Sequence, residues 1–162
     1  MALEPEDAPP GPRKLSLIVY SGAYAKVHYA LVLASAAAAI GTPATLFFTM
    51  DAARFLARPL ADGSPGWRRL PARPENAGTG TGGAEARSAG AADDDYAARG
   101  VATFEELLSA CAAFGVTFMV CEMGLRVIGL EAAALRDDIA IAEGGVVSFL
   151  ADASERGATL FI

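Results

Sequence analysis

Four short apolar runs set the tightest limit on what this chain can fold into: residues 15–20 (L-S-L-I-V-Y), 44–50 (A-T-L-F-F-T-M), 116–120 (V-T-F-M-V) and 158–162 (A-T-L-F-I). Each has the length and the β-branched or aromatic content of a strand. Runs this continuously apolar leave no face for water, so they belong in a sheet covered on both sides. Helix-like stretches separate them. One spans residues 24–40 and ends at Gly41, a favoured helix stop. A short one at 51–57 is halted by Pro59. Another starts at Thr103, an N-cap with Glu105 and Glu106 in its first turn, and aligns Phe104, Leu107, Leu108 and Cys111 on one face. A short helix follows Cys121 to about residue 130, a turn or two covers 131–136, and Gly144-Gly145 opens a last helix to 153. Strands alternating with helices predict an α/β fold with a mainly parallel sheet.

With 162 residues the chain fits one domain over 13–162, after an acidic, proline-rich tail at 1–12. That tail is the opposite of a basic, apolar secretory leader, so the expected address is cytoplasmic. Hydrophobic residues make up 53%, but much of this is alanine. The one stretch suggestive of a membrane span, 27–48, contains Gly41 and Pro43 and reads instead as a buried helix followed by a buried strand. A formal charge of −6 argues against nucleic acid as a partner, since phosphate binding needs a basic footprint. One histidine, His28, and two cysteines ten positions apart make neither a CxxC pair nor half of a common zinc site. No metal and no cofactor are expected. The Asp137/Asp138 pair reads as a solvated helix face.

Composition changes over residues 59–100, where glycine, alanine and proline dominate. The centre, roughly 76–92, reads as a mobile excursion, because it lacks the apolar content to offset the entropy of ordering. Its T-G-T-G-G neither follows a strand nor precedes G-K-[ST], so a linker explains it better than a phosphate loop. Trp67, between Gly66 and Arg68-Arg69, is either a docking anchor or a cover for the sheet edge.

The junction at Cys121 carries the chemical signal. A buried strand ends there and a helix begins, which directs backbone N–H groups and the positive helix end at the thiol. Such a thiol ionises more readily, and the thiolate is the reactive form. The alternative is an inert buried cysteine, which is also the reading for Cys111 on its apolar helix face.

Four pieces stand in order along the chain: Ile18-Val19-Tyr20-Ser21-Gly22 with Lys26 and Ala39-Ile40-Gly41; Leu46-Phe47-Phe48-Thr49; Phe104-Glu105-Glu106-Leu107-Leu108 leading through Gly115-Val116 to Cys121-Glu122-Met123; and Gly144-Gly145-Val146 with Phe149-Leu150 and Leu160-Phe161-Ile162. Together they resemble the DsrE/DsrF/TusD-like proteins of sulfur relay, and more closely the single-chain DsrE-like branch often labelled "peroxiredoxin family". The resemblance implies a flavodoxin-like three-layer sandwich with a mainly parallel five-stranded sheet. It also implies homo-oligomers, and a persulfide on Cys121 exchanged with rhodanese-like or TusA-like donor and acceptor proteins. Where the family commonly has Cys-x-Met-Ser-Met, this chain has Cys121-Glu122-Met123-Gly124-Leu125, so the serine is replaced by Gly124. The "peroxiredoxin" label is not literal, since neither cysteine sits in a Thr-x-x-Cys motif.

The first functional reading is a sulfur carrier, with Arg126 or Lys26 assisting the anion and Glu122 opposing it unless its side chain points away. His28 is either a proton shuttle or a packed residue of the helix face. Met119 and Met123 read as a soft apolar wall flanking Cys121. The alternative is a non-catalytic interaction or redox-sensing module of the same fold. A flavodoxin-like ligand binder is the third option, but Ser21-Gly22-Ala23-Tyr24 is too sparse for a phosphate loop. The small side chains of Ala34 and Ala36 to Ala39 suit close packing in an oligomer.

Overall fold

The first apolar run forms β1 (Leu15–Val19), and the helix formers after Ala23 form α1 (Tyr24–Ala39), which stops where Gly41 adopts φ +82°. The structure, a computed structural model, describes residues 11–73, 87–153 and 156–162. β2 (Ala44–Phe48) is buried along its whole length and runs into a 3₁₀ segment, Met50–Leu56. A second 3₁₀ turn, Gly66–Arg69, precedes α2 (Ala89–Ala98) and α3 (Phe104–Ala113). β3 (Thr117–Cys121) passes directly into α4 (Glu122–Ile128). β4 (Ile141–Gly144), α5 (Val146–Asp152) and β5 (Ala158–Phe161) complete the order.

The five strands form one sheet in the order β4-β3-β2-β1-β5, with every pair parallel. This is the α/β three-layer, flavodoxin-like arrangement. Right-handed crossovers explain the layers. The steps from β1 to β2 to β3 run in one direction, so α1 and α3 lie on one side, where they pack against each other. The return from β4 to β5 steps the other way and takes α5 to the opposite side.

Side-chain alternation along each strand divides the core accordingly. Leu17, Val19, Leu46, Phe48, Phe118 and Val120 join α1 and α3 in the larger cluster. Phe47, Met119 and Cys121 face the other way and meet Phe149 of α5.

The structure alters the sequence reading in three places. Helix resumes at Ala89 rather than at Thr103: Ser88 caps α2 by accepting the Ala91 N–H at 3.1 Å. Only residues 74–86 of the supposed excursion lie outside the described residues, and those include the T-G-T-G-G. Trp67 is neither docking anchor nor edge cover. It is fully buried among Tyr24, Phe55 and Phe104, and its Nε1–H donates to Glu105 at 2.8 Å. The third change is β4, which runs over residues read as the approach to a helix. At Thr103 the expected cap is present as a reciprocal pair with Glu106.

Buried Asp93 ties these parts together. It accepts the Tyr24 hydroxyl at 2.5 Å, the Phe104 N–H at 2.8 Å and the Arg68 guanidinium at 3.1 Å. Burial, then acceptance by Asp93, raises the Tyr24 phenol well above its ordinary range.

Candidate functional site

Cys121 is both the last residue of β3 and the N-cap of α4. An N-cap side chain normally offers oxygen to the free amides of the first helical turn. Here sulfur takes that place, and Sγ accepts the Gly124 N–H at 3.4 Å. The side chain is 1% exposed and packs with Phe47, Met119 and Phe149.

The elements around it are tightly fixed. Leu125 anchors α4 in the larger core, Gly129 closes it with φ +67°, and Arg54 donates to the Ile128 carbonyl at 3.1 Å. Gly124 leaves no room for a side chain. A Cβ placed there would stand 2.5 Å from Thr49 Oγ1 and 2.7 Å from the Met50 amide nitrogen. The serine that the resemblance expects at this position would therefore collide with the end of β2.

The other nominated residues divide into two groups. Met123 and Arg126 are exposed on α4, Met123 at 60%, and Glu122 also points to solvent. They lie within the turns that follow Cys121. Lys26 and His28 belong to α1, on the far side of the sheet from the Cys121 side chain. Lys26 is exposed there. His28 is buried, with Nε2 2.8 Å from the Ala102 carbonyl and its ring edge-on to Tyr96 at 4.9 Å, which is the packed-residue alternative.

Cys111 is a different kind of thiol. It is fully buried, its Sγ lies 3.5 Å from the Leu31 carbonyl, and burial pushes it up to about 12. Thr49 and Phe149 carry no local sequence signal for this junction, because each comes from a distant part of the chain: Phe149 packs with Cys121, and Thr49 meets Gly124. A shallow surface hollow of about 440 Å³, lined by Val116 to Phe118 and Ala140 to Ala142, opens at the other end of β3. Among the described residues no group of three His, Cys, Asp or Glu side chains is placed to hold a metal ion. No helix among them is long and apolar enough to cross a membrane.

Comparison with known proteins adds one finding. Residues 83–161 match the model of the DsrE/DsrF/DrsH-like family. The matched stretch contains α2 through β5, including Cys121, α4 and α5. No curated protein matches the chain.

Proposed function

Through residues 83–161 the chain belongs to the DsrE/DsrF/DrsH-like family, and from that premise we propose that it carries sulfane sulfur as a persulfide on Cys121. The family points to sulfur relay in general terms. The assignment to one residue is supported by a single observation: Sγ of Cys121 sits at the carboxyl end of a parallel strand and accepts a free helix-start N–H from Gly124.

The chemistry runs in two balanced halves. Cys121 gives its proton to water, and the thiolate attacks the outer sulfur of a donor persulfide. A new S–S bond forms as the donor's S–S bond breaks, and the donor sulfur leaves as a thiolate with the bonding pair. In the second half an acceptor thiolate attacks the outer sulfur on Cys121, and Cys121 is the leaving thiolate. No external oxidant or reductant is consumed. Exchange of this kind depends on thiolate character and on access. Cys111 is raised by burial and lies in the larger core, away from any helix start.

Donor and acceptor are thiol proteins of the rhodanese-like or TusA-like kind, in keeping with the family, and the carrier works as a homo-oligomer. Met123 and Arg126 form the exposed ground on which such a partner would land.

Intact-mass measurement after incubation with a small-molecule sulfane donor tests the assignment. The wild type is expected to gain one sulfur atom, and Cys121→Ser none. Equal uptake by Cys121→Ser, or no uptake by the wild type, would remove Cys121 from the role.

A further inference from the structure

Thr49 stands one residue beyond the last paired position of β2. The register of β2 against β3 runs from Thr45↔Thr117 to Phe48↔Val120, so one further step sets Thr49 beside Cys121. Thr49 remains in extended conformation at φ −140° and ψ 163°, and its N–H donates to the Val19 carbonyl at 3.0 Å. It therefore continues the strand. Alternation then directs its side chain to the Phe47 side, where Cys121 packs. The chain turns sharply only at Met50, whose φ of +50° is uncommon for a residue with a side chain.

Gly124 supplies the second, independent observation. The space its Cβ would fill is taken by Thr49, with Oγ1 2.5 Å from that point. The same glycine's N–H is the one that donates to Cys121 Sγ. A hydroxyl from the end of β2 thus meets the residue whose amide serves the Cys121 sulfur. Thr49 is only 7% exposed; among the described residues its hydroxyl makes no hydrogen bond, and it stays open to solvent, since the buried side-chain atom without a partner is Ser16 Oγ.

A donor on the Cys121 side of β2 that leaves Sγ unbonded suits an acceptor lying further out. The outer sulfur of a persulfide is such an acceptor, about 2 Å beyond Sγ. Resting on the persulfide reading of Cys121, we propose that the Thr49 hydroxyl holds the transferred sulfur by donating a hydrogen bond to its outer, charged atom. The Gly124 N–H serves the inner sulfur and Thr49 the outer one. Bare Cα at position 124 is what lets the hydroxyl in.

The test compares wild type, Thr49→Val, which keeps the shape and removes the hydroxyl, and Thr49→Ser, which keeps the hydroxyl. Each is loaded with a small-molecule sulfane donor and freed of excess, and loss of the added sulfur is followed by intact mass without acceptor. Thermal melts confirm that all three are folded. Thr49→Val is expected to lose its sulfur about tenfold faster, the scale of a hydrogen bond to a charged group, with Thr49→Ser close to wild type. Similar loss from wild type and Thr49→Val overturns the role of Thr49 while leaving the carrier reading intact. Loss from Thr49→Ser as fast as from Thr49→Val also overturns it, because the hydroxyl would then be irrelevant. A wild type that takes up no sulfur removes the carrier reading, and this proposal with it.

Discussion

The two buried thiols differ in what surrounds them: Cys121 accepts the Gly124 N–H, and Cys111 packs among apolar side chains. Cys111 lies in the larger core beneath α1, and burial raises it from 9.0 to about 12. Unfolded, it titrates near 8.5. Between those values the folded chain keeps a proton that the unfolded chain releases, so stability must fall as pH rises through that window. Below it the contribution is complete. Tyr24, raised by burial and by Asp93, adds a loss of the same sign at more alkaline pH. Denaturant unfolding under reducing conditions at a series of pH values from 8 to about 12 should show a shallower decline for Cys111→Ala than for wild type. At neutral pH the variant should be about 1 kcal/mol less stable, from the lost buried atom. Parallel curves would mean that Cys111 does not titrate as argued. Cys121 was legible in the sequence because an apolar run ends on it and a helix begins at once. The approach of Thr49 to Gly124 beside it was not, since the two meet only through the pairing of β2 with β3.

Among the elements, α5 decides whether Cys121 can be reached. Phe149 is its buried residue, stacked on Phe47 at 4.9 Å and closing over the Cys121 side chain. The helix has seven residues, fewer than an isolated helix needs for stability. It is held at its far end by Asp152, which accepts from Thr45 at 2.7 Å and pairs with Lys14 at 2.6 Å. Exchange at a thiol 1% exposed requires this cover to move. Phe149→Ala should therefore raise the rate at which iodoacetamide modifies Cys121 by about tenfold or more, equivalent to at least 1.4 kcal/mol of easier opening. It should leave Cys111 unmodified, as peptide mapping would show. An unchanged Cys121 rate would mean that Phe149 is not the barrier. Long elements were legible from periodicity, as with α1 and α3. Two were not: α2 is built from alanine, glycine and aspartate and held by Ser88 and Asp93, while β4 is a four-residue edge strand, Ile141–Gly144, with only Gly144 fully buried.

The sidedness of the whole molecule follows from its strand order. Three forward steps load one side of the sheet with helices, and among the described residues the return step puts only α5 on the other. Seven residues cannot cover five strands, and that side carries apolar surface in consequence. Val147 is 82% exposed and Leu150 61% on α5. On β5, Phe161 is paired with Ile18 and so faces the same way, 67% exposed, with its ring 5.3 Å from that of Tyr20. Scattered apolar residues are ordinary on a surface, but several on one thinly covered side favour association. The small-residue argument from α1 points to a different surface, and Ala34 is already fully buried within the chain. Self-association through the α5 side is thus the expected form, and it would put the cover over Cys121 next to a neighbouring copy. Light scattering of the wild type at micromolar concentration should give a multiple of 16.6 kDa. Leu150→Arg combined with Phe161→Arg should return the protomer mass, since a charge buried in an apolar contact is strongly unfavourable, while circular dichroism stays unchanged. A monomeric wild type would exclude the assembly, and an oligomer that survives both substitutions would place the contact on another face.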